Sequence, residues 1–371
     1  FHAVHIFDFI ETFEEMARKM VNRWPTVSEI NLEAEMMGLT LSIICKTMFG
    51  AEIEAQIPRI GQLMDTMLQA AEFQLQPPLP DWVPTPGHWR QRQAVNELRS
   101  LILEIIRERQ AEMAAGIAIK PDLLHMLLSA RDENGEGLSE VEILEECLTV
   151  FVAGHETTAV ALSWLIALLL KKPSVLARLK KELSENLDDR PLTVEALKQV
   201  PYLKQVIKES LRLHSPAQGF GRRPLETIEV DGYRFEKGET LIFSIYALHR
   251  LSEYYPDPLM FDPERFAPDQ EPPPRYAYIP FGAGSRTCIG NAFAMLEMQV
   301  IMATVLRAVD LVALSDYSFE TKLKVTLRPR DEIRLRAVEI PVKKSTSERL
   351  TPQEGVTPAQ AGMTPSYPRN C

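Results

Sequence analysis

From Ser139 to Lys172 no proline interrupts the chain, and most of that stretch is apolar on most sides. Ser139 offers an N-cap and Glu142 follows three residues later, the spacing of a capping box. The segment predicts a helix of about 33 residues, roughly 50 Å long at 1.5 Å per residue. A helix that is hydrophobic nearly all round has to be buried. This one must therefore cross the middle of the molecule, and every other element must pack around it. At its centre lies Ala153-Gly154-His155-Glu156-Thr157-Thr158, a polar and helix-weakening cluster. A local rule broken inside an otherwise well-specified element points to function. The longest apolar run, Ala159 to Leu170 with Ser163 inside it, covers twelve residues, too few to span a bilayer.

Helical periodicity extends over residues 1–75, where Leu39, Ile43, Ile44, Thr47 and Met48 are closed by Gly50. The chain opens at Phe1 inside what already reads as a helix (Phe7, Ile10, Phe13, Met16, Met20), so its N-terminus is expected to be missing. The stretch Pro77–Gly87 holds five prolines and cannot be helical; it reads as a loop with apolar tips. A charged helix is predicted from about Arg90 to Ala115, with Leu98, Leu101, Ile102, Ile105 and Ile106 on one face. Another runs from about Thr193 to His214. Strand signals follow at Thr227–Val230, Tyr233–Phe235 and Leu241–Ile245, punctuated by the turn pairs Asp231-Gly232 and Lys237-Gly238. Residues 254–280 read as irregular. A last long helix spans about Ile289 to Arg307, and short strands finish near Arg336. The fold class is mainly α with small β-sheets (α+β), in one domain over residues 1–343. Ser, Thr, Pro and Gly make up about half of residues 345–371, so 344–371 is expected to be a disordered tail.

Charge and cysteine usage exclude some classes. The 371 residues carry a net charge of −10, which argues against general nucleic-acid binding. The four cysteines, Cys45, Cys147, Cys288 and Cys371, are far apart in sequence. They form no metal knuckle and no disulfide framework, which fits a reducing, cytoplasmic setting. Cys45 and Cys147 fall in apolar helices and are expected to be inert.

The sharpest chemical signal is Phe281-Gly282-Ala283-Gly284-Ser285-Arg286-Thr287-Cys288-Ile289-Gly290. Its glycines let the backbone approach something flat and large. Cys288 is placed at a predicted helix start, where the macrodipole and free N–H groups favour a thiolate. Such a thiolate suits axial ligation of haem iron. Arg286 could pair with a carboxylate such as a haem propionate.

These residues resemble the cysteine loop of the cytochrome P-450 family of haem-thiolate monooxygenases, Phe-x-x-Gly-x-Arg-x-Cys-x-Gly, which 281–290 match in full. Glu209-Ser210-Leu211-Arg212 resembles the family's Glu-x-x-Arg, and Pro263-Glu264-Arg265-Phe266 resembles the segment that adds a second arginine. The resemblance implies a buried Glu209–Arg212–Arg265 cluster that locks the loop carrying Cys288. Ala153–Thr158 looks like the family's oxygen-activation segment, with Glu156 as its acid and Thr157 as its alcohol. Activating dioxygen in a largely dry pocket requires protons, and a positioned hydroxyl with a nearby acid can deliver them; Gly154 would leave room beside the helix. Arg222, ten residues after Arg212, stands where the family places a propionate-binding arginine, with Arg223 beside it as a competitor. His249-Arg250 also resembles a family pair, with no role attached.

The resemblance implies a P-450-like fold lacking its N-terminal part, with haem b as cofactor. Cys288 would be the iron ligand, and Arg286, Arg222, Phe281 and Gly282 would contact the cofactor. The expected reaction inserts one atom of dioxygen into a small apolar organic substrate. Two electrons would come from a separate ferredoxin- or flavodoxin-type donor, because no flavin or iron–sulfur segment is visible in the chain. The visible part has no membrane anchor, which suggests a soluble enzyme. Two alternatives are a haem-thiolate peroxide isomerase or dehydratase, and a non-catalytic haem-binding fragment.

Overall fold

The computed structural model describes residues 6–50, 57–74, 86–117, 122–187 and 190–340. The central helix runs Glu140–Leu170, 31 residues, and its capping box forms in both directions: Ser139 Oγ accepts from Glu142 N, and the Glu142 carboxylate accepts from Ser139 N. Its second half is buried on every side, from Thr158 to Leu169. By length and composition this helix could cross a membrane, but 78% of its apolar window is buried inside the fold. Around it pack Leu32–Phe49, Pro201–Leu213 and Asn291–Ala308. Thr40 Oγ1 donates to His155 O at 2.9 Å and Trp164 Nε1 to Leu327 O at 2.7 Å. The central helix is thus bonded to its neighbours as well as packed on them.

Local signals set most element ends. Asn31 caps Leu32–Phe49, its side chain accepting from Ala34 N, and Gly50 closes that helix at φ 56°. A Cβ at Gly50 would meet Asp122 Oδ2 at 2.6 Å. Asp122 is fixed there by Arg109 at 2.7 Å, and Arg109 also donates to the last-turn carbonyl of Phe49. The charged helix spans Pro86–Ala114, with Leu98, Ile102, Ile105 and Ile106 buried.

Two expectations change. The helix predicted over Thr193–His214 is two helices, Val194–Lys198 and Pro201–Leu213. Pro201 starts the second and cannot continue the first, since it lacks the N–H and its ring opposes the preceding turn. The strand expected over Leu241–Ile245 ends at Ser244, whose side chain caps a short helix starting at Ile245. It pairs antiparallel with Gly219–Arg222, Phe220 opposite Phe243, a strand whose two glycines hide it from a propensity reading. The hairpin Ile228–Val230/Tyr233–Phe235 forms as predicted, turning through Asp231 and Gly232, both at positive φ (49° and 78°), the type I′ geometry. Arg334–Glu339 lies between Ile30–Asn31 and Val309–Ala313 in a three-stranded antiparallel sheet. Thr321–Leu323 pairs with Leu327–Pro329. The proline-rich stretch at 77–85 and the tail at 344–371 lie outside the described residues.

Candidate active site

The elements above enclose a cavity of about 810 Å³. One wall is the central helix, through Val150, Ala153, Gly154, Thr157, Thr158 and Ala161. Facing contributions come from Ile44 and Met48, from Phe220 and Arg222, and from the loop Phe281–Gly290. The lining is mostly apolar, with two guanidinium groups, Arg222 and Arg286, and the Cys288 thiol among its few polar features.

The cysteine loop is shaped by its own backbone. Cys288 N donates to Phe281 O at 2.8 Å, Gly282 N to Ile279 O at 3.0 Å and Thr287 N to Gly284 O at 3.2 Å. Gly282 and Gly284 both sit at φ 74°, a conformation that other residues adopt only with strain. A Cβ at Gly284 would meet nothing within 4 Å, and one at Gly282 only Arg286 O at 3.9 Å, so these glycines serve the turn and leave the loop surface open. Among the described residues Cys45 and Cys147 are buried and Cys288 alone is an exposed cysteine. Burial pushes both the Cys45 and Cys147 thiols up to about 12, which keeps them protonated and unreactive. The following helix begins at Asn291 with Gly290 as its cap. Cys288 therefore precedes the cap by two residues, a correction to its placement at the helix start, and its N–H is committed to Phe281.

The charges of Glu209, Arg212 and Arg265 are brought together elsewhere. Glu209 and Arg212 are fully buried and paired bidentately, Arg212 Nε to Oε2 at 2.7 Å and Nη2 to Oε1 at 2.8 Å. Arg265 Nε stands 3.5 Å from Glu209 Oε1, and its Nη2 donates to Asp257 O at 3.0 Å. Asp262 N also donates to Glu209 Oε1 at 2.9 Å. Arg212 Nη1 donates to His249 O and Pro258 O at 2.7 and 2.8 Å. Burial pushes the Glu209 carboxyl up, with the bonds from Arg212 opposing it.

On the central helix the two predicted residues part company. Thr157 lines the cavity, its Oγ1 donating to Ala153 O at 2.7 Å. That bond uses the hydroxyl proton and leaves the oxygen free to accept. Glu156 does not line the cavity, which corrects its placement beside Thr157. It is buried and turned away, accepting at Oε1 from Thr326 Oγ1 at 2.6 Å and from Arg328 Nη2 at 2.6 Å; Arg328 also bridges to Glu33 at 2.7 Å. One residue along a helix rotates the side chain by about 100°, enough to send Glu156 to the far side. Gly154 lines the cavity. A Cβ there would meet Ile44 Cδ1 at 2.7 Å, so its small size serves the contact with the neighbouring helix as well as the cavity. Arg222 lines the cavity, whereas Arg223 turns away and donates to Thr240 Oγ1 at 3.1 Å.

Sequence reasoning missed Arg328 and Thr326, about 170 residues from Glu156, because nothing local links them. It also missed Glu297 on the helix after Cys288. Glu297 is fully buried with both carboxyl oxygens unpartnered among the described residues, and burial pushes it up to about 8. Thr158 approaches it without the geometry of a full hydrogen bond.

An exposed thiol at the wall of a large apolar cavity, a glycine loop without side-chain obstruction and two arginines fit a flat apolar macrocycle that carries carboxylates and a thiolate-binding metal. This arrangement defines the class of haem-thiolate proteins. The family model "Cytochrome P450" matches residues 1–336, and the chain belongs to that family, whose members bind haem b. It is 34% identical over 335 residues to human "Cytochrome P450 4V2", covering 83% of this chain and 63% of the relative. It is 31% identical to "Putative cytochrome P450 120" of Synechocystis, covering 88% and 72% respectively. The solved structure "Retinoic acid bound cyanobacterial CYP120A1" superposes with a TM-score of 0.80 at 29% identity, over 90% of this chain and 75% of that one. The chain thus spans about 63% of the length of the first curated relatives it matches.

Proposed function

We propose that this chain forms the greater part of a haem-thiolate monooxygenase acting on a small apolar organic substrate. The observation that carries the reading is Cys288, an exposed thiol on a glycine loop at a cavity that it shares with Thr157, Arg222 and Arg286. Bound there, haem b would supply the redox centre at which dioxygen is reduced by two electrons, one oxygen atom passing to the substrate and the other leaving as water.

The chain's own residues do the rest. Cys288 would hold the iron through its thiolate sulfur, a strongly electron-donating ligand. Arg222 and Arg286 line the same cavity and would hold the cofactor's carboxylates with charge-assisted hydrogen bonds. Phe281 and Gly282 line the cavity on the loop side and would bound the cofactor there. The apolar walls (Ile44, Met48, Val150, Ala161) exclude water and accept an apolar substrate. Thr157 Oγ1, with its proton held by Ala153 O, accepts a hydrogen bond from a donor in the cavity and so holds a proton source in place. Glu156 acts at one remove, fixing the central helix through Arg328.

Electrons come from a ferredoxin- or flavodoxin-type protein, and the setting is cytoplasmic, consistent with the free cysteines. The retinoic acid bound to the cyanobacterial relative makes elongated apolar carboxylic acids the first substrates to try. The test is a substrate-binding spectral screen followed by turnover of each binder with and without dioxygen and reductant. Product that requires both supports the monooxygenase. Product formed from a peroxide substrate without either would instead support the isomerase or dehydratase reading.

A further inference from the structure

His249-Arg250 directly follows the short helix Ile245–Leu248. The His249 ring is fully buried. Its Nε2 accepts from Ile279 N at 2.9 Å. A ring nitrogen that accepts must be bare, so the proton sits on Nδ1, which lies 3.2 Å from Arg212 O and donates to it. The backbone oxygen of His249 takes a bond back from Arg212 Nη1 at 2.7 Å, closing a clasp. Arg212 O and Leu213 O belong to the last turn of Pro201–Leu213, where helix carbonyls have no partner of their own. His249 takes the first and the Arg250 guanidinium the second. The ring also stacks on Tyr278, centroids 5.3 Å apart and 19° from parallel. Tyr278 is anchored in turn through its hydroxyl to Lys208 O at 3.0 Å.

Ile279 opens the cysteine loop. Its carbonyl accepts from Gly282 N, and two residues later Phe281 O accepts from Cys288 N. We propose that His249 is a positioning residue that ties the cysteine loop to the Glu209–Arg212 pair, working as a neutral ring protonated on Nδ1 alone. The inference rests on the haem-thiolate reading for what the loop carries. Protonating the ring would aim a second donor at Ile279 N–H and release the tether.

Burial and the charged groups facing the ring oppose that protonation, although the backbone carbonyls of Arg212 and Leu211 favour it. Arg212 and Arg250 are cationic, with Arg265 behind Glu209. Glu209 spends its charge on Arg212. Tyr255 and Tyr278 are pushed up by burial, Tyr255 to about 12, and stay neutral. Burial holds His249 down at about 4.

The test compares the haem-loaded wild type with His249→Gln and His249→Leu. Two readouts are followed: the red-shifted Soret band of the reduced carbon-monoxide complex across pH, and amide exchange at Ile279–Phe281. Gln can accept from Ile279 N and donate to Arg212 O but cannot be protonated. It should keep the band at neutral pH and shift its acid loss downward by roughly half a pH unit or more. Leu makes neither bond. It should lose most of the band at neutral pH and speed exchange at Ile279 about tenfold. Wild-type behaviour of the Leu variant in both readouts, or an unshifted acid loss in Gln, would overturn the proposal. If Leu gives no folded protein, the Gln acid profile decides alone. If the wild type shows no red-shifted band, the haem-thiolate reading fails. The exchange readout still judges His249: faster exchange in Leu but not in Gln upholds the tether, and equal exchange refutes it.

Discussion

The two sides of the cavity are built in opposite ways. Behind the cysteine loop, Glu209, Arg212 and His249 are fully buried and every bond direction is spent: carboxylate on guanidinium, guanidinium on three backbone carbonyls, imidazole between Arg212 O and Ile279 N. On the central helix, Ala153, Gly154 and Thr157 are only partly covered, and the Thr157 hydroxyl bonds no further than its own helix. Saturated polar networks in low dielectric are stiff and fail badly when one member is lost. A wall with one spare acceptor can meet a ligand without rearranging. The cysteine loop is thus held by side chains that do not line the cavity, whereas Thr157, which lines it, bonds only to its own helix.

Breaking the first side should have the largest effect. Arg212→Ala removes both bidentate bonds from the buried Glu209, leaving it only the longer contact with Arg265 and the bond from Asp262 N, and frees three carbonyls, at a cost of about 3–5 kcal/mol. Against a total stability of about 5–15 kcal/mol, little folded, haem-loaded protein should survive, as read by soluble yield, haem content and thermal unfolding. Near-normal stability would mean the network is not the anchor.

Breaking the second side should leave folding alone and damage chemistry. Thr157→Ala should keep the melting temperature, haem content and substrate-binding spectrum within error. It should lower product formed per reductant consumed, with a matching rise in hydrogen peroxide. A positioned proton-transfer group is worth about 10²–10⁴-fold in the step it serves. Thr158→Ala should be milder, because its hydroxyl leans toward Glu297. Full coupling in Thr157→Ala would place the proton route elsewhere.

Titration probes buried groups on both sides more gently. The neutral buried rings of His155, His214 and His249 lie near 4, 3 and 4, below the usual 6.5. Their stabilisation is complete above 6.5 and is lost as pH falls from there toward 4. Glu297 runs the other way. Raised from 4.5 to about 8, it favours the fold fully below 4.5 and loses that contribution as pH rises toward 8. Glu297→Gln should therefore flatten the stability profile between those values in denaturant titrations, while leaving the acid limb unchanged. An unaltered slope would mean the carboxyl is already ionised in the fold.

Much of this could be read in the sequence wherever a signal is local. The capping box at Ser139, the Asp231-Gly232 turn, the Gly50 stop and the Glu209/Arg212 spacing each involve residues a few positions apart, and the structure contains each of them. The cysteine loop was legible because its glycines have to serve a turn. What escaped was set by distance or by rotation. Arg328 meets Glu156 only because the Thr321–Leu323/Leu327–Pro329 hairpin folds back on the central helix. One step of helical rotation separates Thr157, on the cavity, from Glu156, behind it. Pro201 was visible, but the pull of a long periodic pattern hid the break it makes.

The most direct test of the account is the absorption spectrum of the reduced, carbon-monoxide-bound protein, wild type beside Cys288→Ser. Cys288 lies on a loop shaped by Gly282, Gly284 and the backbone bonds around it, with its anchor at Arg212 and His249, so the substitution should leave the fold intact. The account predicts a red-shifted Soret band in the wild type that vanishes in Cys288→Ser while the melting temperature changes little. The same band in both proteins would contradict it.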